Sequence, residues 1–138
     1  MGHNIQFDKG YTFNLSLQVT DDMVKKFADM CGDYNPIHLD DDYAKTTRFK
    51  QRIAHGMIVG ALFSRALNDC MGSGGIYLSQ TMKFLQPVFI NDTIHMEFLV
   101  TAMRKEKGIA TVETLAKKAN GELCVKGEAI VMVSSAVS

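Results

Sequence analysis

The chain has 138 residues, of which 46% are hydrophobic and 22% charged, which is enough for one compact domain but too little for two. Its 15 basic and 15 acidic side chains give a formal net charge of zero, which argues against a nucleic-acid partner. The longest apolar stretch, 57–63, is far shorter than the roughly 20 residues that cross a bilayer, so no membrane partner is expected.

Periodicity predicts the secondary structure, with alternating apolar and polar side chains in the strands and apolar side chains at helical spacing in the helices. In chain order the predicted elements are a strand at 11–20, helices at 21–31, 40–45 and 54–71, and strands at 76–86, 93–106, 109–118 and 122–134. Pro36 excludes a continuous helix through 33–38, because the residue before a proline avoids the helical region. Asn120-Gly121 is typical of a hairpin turn, so the last strands should be antiparallel.

The helix at 54–71 is apolar on most of its faces, which is typical of a buried helix. We therefore expect one α+β domain over residues 1–138, with an antiparallel sheet wrapped around this helix. The other face of the sheet also carries apolar side chains, which suggests that a partner subunit covers them. These side chains are Leu99, Met103, Leu115, Ile130 and Met132.

The three cysteines, Cys31, Cys70 and Cys124, are odd in number and widely spaced, and none belongs to a C-x-x-C pair. This usage indicates neither a disulfide framework nor a zinc site. The N-terminal residues also lack the apolar segment of a secretory signal peptide. We expect reduced thiols in a cytoplasmic protein that holds no metal ion.

Two features of the first half could carry chemistry. Asp33 precedes His38 by five residues, and such a pair can polarise a water molecule and pass a proton. On spacing alone an Asx turn, with His38 incidental, is the favoured alternative. Gly56, at the start of the long helix, could present a free backbone N–H to a developing oxyanion. Alone, it is more readily interpreted as a position that permits close packing.

Several motifs together are similar in order and spacing to one known family. They are Phe27-Ala28-x-x-Cys31-Gly32-Asp33-x-Asn35-Pro36-Ile37-His38, Thr47-Arg48-Phe49, Ile53-Ala54-His55-Gly56-Met57, Ile76-Tyr77-Leu78-Ser79-Gln80 and Phe84-Leu85-x-Pro87-Val88. The chain thereby resembles the (R)-specific enoyl-CoA hydratases, which belong to the MaoC-like group of hot-dog-fold proteins. The resemblance implies a single hot-dog domain and a homodimer or a dimer-based higher oligomer.

The resemblance also implies a reaction, the reversible hydration of a trans-2-enoyl-CoA thioester to an (R)-3-hydroxyacyl-CoA. Asp33 and His38 match the catalytic pair, which would hold one water molecule. His38 would take a proton as oxygen attacks Cβ, and Asp33 would supply one to Cα. The Gly56 amide matches the donor to the thioester oxygen. CoA is part of the substrate, so no separate cofactor is implied.

Further residues are expected to bind the substrate. Asn35 would brace the loop, and Ser64 matches a position near the family's active site, although it could instead bond to a backbone carbonyl. A basic cluster could meet the CoA phosphates or remain a solvated loop, and it consists of Lys45, Arg48, Lys50 and Arg52. Relatives often have glycine where this chain has Lys50. His55 is interpreted as structural.

Three other functions remain open. A hot-dog thioesterase, or a dehydratase acting on acyl-carrier-protein thioesters, would need a carboxylate on the long helix, and 57–67 contains no Asp or Glu. A non-catalytic acyl-CoA-binding protein would be expected to lack Asp33 or His38, and both are present.

Overall fold

The computed structural model describes residues 7–72 and 74–133, and these form a five-stranded antiparallel sheet and four helical segments. The elements are β1 (Thr12–Gln18), α1 (Asp21–Cys31), α2 (Pro36–Leu39), α3 (Asp41–Lys45), α4 (Gly56–Met71), β2 (Ile76–Phe84), β3 (Thr93–Arg104), β4 (Ile109–Lys118) and β5 (Leu123–Met132). The strand order is β1-β3-β4-β5-β2, and every neighbouring pair is antiparallel. The predicted α+β class is confirmed.

The first helices begin and end at the residues that cap them. Thr20 accepts a hydrogen bond from the Met23 N–H at the start of α1, and Gly32 ends this helix with a φ of 82°. Pro36 is the first residue of α2, where its missing N–H costs nothing. The break that the sequence predicts before Pro36 therefore separates two helices.

Helix α4 differs from the prediction in two respects. It begins at Gly56 rather than at 54, because Ile53 pairs with Phe89 and the Ala54 N–H donates to the Val88 carbonyl, which keeps this segment extended. It is also buried on one face only. The buried side chains are Ile58, Val59, Leu62, Phe63, Ala66, Leu67 and Met71, whereas Met57, Ala61, Ser64, Arg65, Asn68 and Asp69 are exposed.

Two β-bulges change which side chains face the core. In β3 an irregularity between Val100 and Ala102 reverses the alternation, so Ala102 is exposed and Met103 packs against the core, opposite to the prediction. In β2 an irregularity between Tyr77 and Ser79 leaves Ile76 and Leu78 exposed, although both were predicted to share a face with Met82, which packs against the core. The remaining strands keep the predicted faces over most of their length.

The other predicted outer-face residues, Leu99, Leu115, Ile130 and Met132, are half-buried in the single chain. Cys31, Cys70 and Cys124 are all free thiols. Within 7–72 and 74–133 there is no helix of sufficient length and apolar character to cross a membrane.

Replacing Gly127 by alanine should destabilise the fold strongly. A Cβ at this position in β5 would lie 1.8 Å from the Thr81 carbonyl oxygen, and this backbone atom cannot move without breaking the β2–β5 pairing. We expect Gly127→Ala to lower the free energy of unfolding by more than about 2 kcal/mol in urea titrations.

Gly60→Ala is the matched control. A Cβ at Gly60 in α4 would meet only the flexible end of Met82, whose Cε would lie 2.8 Å away. Alanine is also the better helix former, so we expect a change of less than about 1 kcal/mol in either direction. Equal losses of unfolding free energy in the two variants would contradict this account of the close contact between β2 and β5.

Candidate active site

Asp33 and His38 lie together where α1 gives way to α2. Oδ2 of Asp33 is 3.9 Å from Nε2 of His38, which is too long for a direct hydrogen bond. A water molecule beside both atoms could hydrogen-bond to each of them at this separation. The Asp33 side chain is 51% exposed and that of His38 11%, so the pair joins a solvated carboxylate to a buried imidazole.

Local hydrogen bonds hold the segment between these two residues. Oδ1 of Asp33 accepts from the Asn35 N–H at 3.2 Å, and Oδ1 of Asn35 accepts from the Ile37 N–H at 3.2 Å. These are the Asx-type turns that the simpler interpretation of the motif predicted. They occupy one oxygen of Asp33 and leave Oδ2 facing His38, so the turn and a chemical role are compatible.

The hydrogen bonds of His38 decide its tautomer. Its Nδ1 lies 2.8 Å from the Ile53 carbonyl oxygen, and a carbonyl only accepts, so Nδ1 carries the hydrogen. The lone pair of the neutral ring is then on Nε2, the atom that faces Asp33. Burial lowers the pKa of His38, and the neighbouring His55 adds to this, whereas the Ile53 carbonyl and Asp33 act in the opposite direction. His38 is therefore suited to accept a proton at neutral pH.

Gly56 is the first residue of α4, and its N–H has no hydrogen-bond partner within the part of the chain that the structure describes. His38 and Gly56 line the same largely apolar cavity of about 350 Å³. Close packing also requires this glycine, because a Cβ would lie 2.7 Å from the ring of Phe84. Both interpretations of Gly56 therefore fit the structure.

The predicted basic cluster divides into exposed and buried members. Arg48 lines the cavity and lies over the ring of Phe49 at 4.8 Å, while Lys45 and Lys50 are exposed. Arg52 is only 9% exposed, so we remove it from the predicted phosphate ligands. Its guanidinium donates to the His38 carbonyl at 2.8 Å and to the Asp21 carboxylate, and it lies 3.9 Å from Asp41.

Ser64 and Asn35 do not line the cavity that His38 and Gly56 line. Ser64 lies on the exposed side of α4. Asn35 is exposed, and its Oδ1 is occupied as the cap of α2. Their roles in substrate binding stay predictions.

His55, which the sequence analysis interprets as structural, lies beside Asp33 and His38. It is 3% exposed, its ring stacks on His38, and its Nε2 lies 3.0 Å from the Asp33 carbonyl oxygen. Asp33, His38 and His55 have potential ligand atoms within 4.8 Å of one another. Nε2 of His55 donates to the Asp33 carbonyl, so this atom carries a hydrogen and is not free to bind a metal ion.

A model of the MaoC-like domain matches residues 4–121. The chain therefore belongs to the MaoC-like family. It is 45% identical over 109 residues to an (R)-specific enoyl-CoA hydratase of Aeromonas caviae, covering 78% of this chain and 81% of the relative. It is 39% identical over 126 residues to one of Rhodospirillum rubrum, covering 91% and 87% of the two chains.

A solved structure extends this likeness to the fold. The (R)-hydratase from A. caviae involved in PHA biosynthesis superposes with a TM-score of 0.87 at 41% identity, over 91% of this MaoC-like chain and 96% of the other. Together with the sheet order, this confirms the predicted hot-dog fold.

Lys50 has a backbone conformation that favours glycine, with a φ of 65°. We expect Lys50→Gly to have a free energy of unfolding about 1 kcal/mol higher than Lys50→Ala, because both variants remove the charge but only glycine relieves the strain. Urea titrations of the two variants measure this difference. A more stable alanine variant would show that this conformation carries no strain.

Proposed function

We propose that this protein hydrates trans-2-enoyl-CoA thioesters to (R)-3-hydroxyacyl-CoA and catalyses the reverse dehydration. Two relatives, from A. caviae and R. rubrum, bear the name (R)-specific enoyl-CoA hydratase. The observation that carries the proposal here is the separation of 3.9 Å between the Asp33 carboxylate and the unprotonated Nε2 of His38. A water molecule at this position could contact His38 as the base and Asp33 as the proton carrier, beside an apolar cavity.

In the proposed reaction one water molecule supplies both groups that add to the double bond. Its oxygen bonds to Cβ while Nε2 of His38 takes one of its protons. The proton that His38 has taken then passes to the Asp33 carboxylate, which delivers it to Cα, so both residues return to their starting states. No proton is gained or lost overall, so the same steps in reverse dehydrate the product.

Charge that develops on the thioester oxygen would be stabilised by the Gly56 N–H. This donor is free, Gly56 lines the same cavity as His38, and the N–H lies at the positive end of the α4 dipole. Loss of one such donor commonly removes about 3 kcal/mol of transition-state stabilisation. The hydrogen bond strengthens as the enolate forms, so it lowers the barrier.

The CoA part of the substrate would lie along the exposed members of the basic cluster. Arg48 is the strongest candidate for a phosphate contact, because it lines the cavity and its side chain is held over Phe49. Lys45 and Lys50, which lie within three residues of Arg48 in the chain, would add positive charge that attracts the CoA phosphates. Asn35 and Ser64 complete the proposed substrate-binding set.

We also propose that the protein is a homodimer. β2 lies at one edge of the sheet, and an exposed edge strand with apolar side chains is suited to pairing with another chain. The large exposed apolar side chains on β2 and around it are Met57, Ile76, Leu78, Phe84 and Leu85. A second copy would cover them, together with the exposed side of α4 that carries Ser64.

Purified protein should remove the enoyl absorbance of crotonyl-CoA, and chiral analysis should find the (R)-alcohol. We expect Asp33→Asn and His38→Gln each to lower kcat by about 10² to 10⁴, because each removes one proton-transfer group. Circular dichroism of both variants controls for folding.

Other outcomes distinguish the alternative functions. Release of free CoA would favour the thioesterase, and hydration only of acyl-carrier-protein thioesters would favour the corresponding dehydratase. Substrate binding without turnover would favour a non-catalytic acyl-CoA-binding protein. Unchanged hydration by both variants would contradict the proposed residues while leaving the activity intact.

The pH dependence of kcat/KM should reflect His38. Because burial lowers its pKa from the ordinary value of 6.5, the unprotonated base persists to lower pH than in an exposed histidine. We expect the acidic limb of kcat/KM for crotonyl-CoA to have its midpoint below pH 6.5. An acidic limb centred above pH 6.5 would be inconsistent with His38 as the base.

A further inference from the structure

His55 contacts both members of the proposed catalytic pair. Its Nε2 is 3.0 Å from the carbonyl oxygen of Asp33, and its ring stacks on that of His38 with the centroids 3.9 Å apart. It is also the N-cap residue of α4 and so directly precedes Gly56. His55 thus contacts the ring of His38 and the backbone of Asp33, and it is the chain neighbour of Gly56.

The partner of His55 determines its tautomer. The Asp33 carbonyl only accepts, so Nε2 of His55 must carry the hydrogen. In the neutral ring the lone pair is then on Nδ1, which is buried and has no hydrogen-bond partner within residues 7–72 and 74–133. His38 carries its hydrogen on Nδ1, so two carbonyls hold the stacked rings in opposite tautomers.

The unpartnered Nδ1 calls for an explanation, because a buried polar atom without a partner destabilises a fold. A phenylalanine would fill this space without that penalty, but it could not donate to Asp33. A glutamine could donate, but it would offer His38 no ring to stack on. The two contacts together require a flat ring with a donor on one edge.

The surroundings of His55 keep the ring in place. Phe27 packs against it with ring centroids 4.9 Å apart. The titratable groups that contact it are Asp33 and His38, and Arg52 holds the backbone carbonyl of His38. His38 is thus fixed from three sides, by Ile53 at Nδ1, by Arg52 at its carbonyl and by His55 at its ring face.

We propose that His55 is a positioning residue that sets the separation between the Asp33 carboxylate and Nε2 of His38. Its Nε2–H anchors the backbone of Asp33, and its ring face fixes the plane of His38. This inference rests on the proposed hydratase function.

The first experiment uses the unchanged protein. Nitrogen-15 NMR of the imidazoles at pH 7.5 should find the ring hydrogen of His55 on Nε2 and that of His38 on Nδ1. A hydrogen on Nδ1 of His55 would overturn the inference whether or not any variant folds.

The second experiment separates the two contacts. His55→Phe keeps a ring against His38 but loses the donor, and His55→Gln keeps a donor but loses the ring. For both we expect kcat with crotonyl-CoA to fall about tenfold or more, with KM changed less than about threefold, because misplacement affects the transition state more than binding. Both should also move the acidic limb of kcat/KM to higher pH, since His55 lowers the pKa of His38.

A merely structural His55 would give a different result. The variants would then have lower melting temperatures but an unchanged acidic limb and an unchanged kcat per folded protein, and the inference would be wrong. Failure of the unchanged protein to hydrate crotonyl-CoA would instead reject the proposed function. If the unchanged protein hydrates crotonyl-CoA and the variants have the same kcat and the same acidic limb, only the proposed role of His55 would be rejected.

Discussion

The geometry of the site depends on the hydrogen bond between Nδ1 of His38 and the carbonyl of Ile53. This bond selects the tautomer that leaves a lone pair on Nε2, and it fixes the direction in which that lone pair points. The carbonyl is itself held by the backbone around it. Ile53 pairs with Phe89, its N–H donates to the Ile37 carbonyl, and the next N–H, that of Ala54, donates to Val88. The imidazole of His38, the proposed base, is therefore aligned by the segment that follows β2.

The same segment determines where α4 begins. Because residues 53 and 54 are held in extended pairing, the helix cannot start before Gly56, and its first free N–H is brought to the cavity that His38 lines. The orientation of His38, the proposed base, and the position of the Gly56 N–H, the proposed oxyanion donor, thus have one origin. Phe84 packs against the start of α4, since a Cβ at position 56 would lie 2.7 Å from its ring.

Much of the fold could be predicted because each element carries its own periodic pattern. The capping residues Thr20, Gly32 and Pro36 act on their immediate neighbours, so their effect is visible in the sequence. The bulges near Val100 and Tyr77 could not be predicted, since one extra residue in a strand leaves no compositional trace yet exchanges its faces.

Only part of the candidate site could be predicted from the sequence, as with the fold. Asp33 and His38 are close in the chain, and the fold brings their side chains to within 3.9 Å of each other. Arg48 and Arg52 are chemically identical and only four residues apart, but one lines the cavity and the other is buried among carboxylates from α1 and α3. The sequence pattern offers no way to tell them apart. His55 was missed for the same reason, because its partners are 17 and 22 residues away.

Arg52 has a consequence for how this region moves. Helix α2 has four residues and α3 has five, which is too short for either to be stable alone. The guanidinium joins the backbone of α2 to carboxylates of α1 and α3. Local opening of any one of these helices would break contacts of the other two, so all three should open and close as one cooperative unit, and His38 with them.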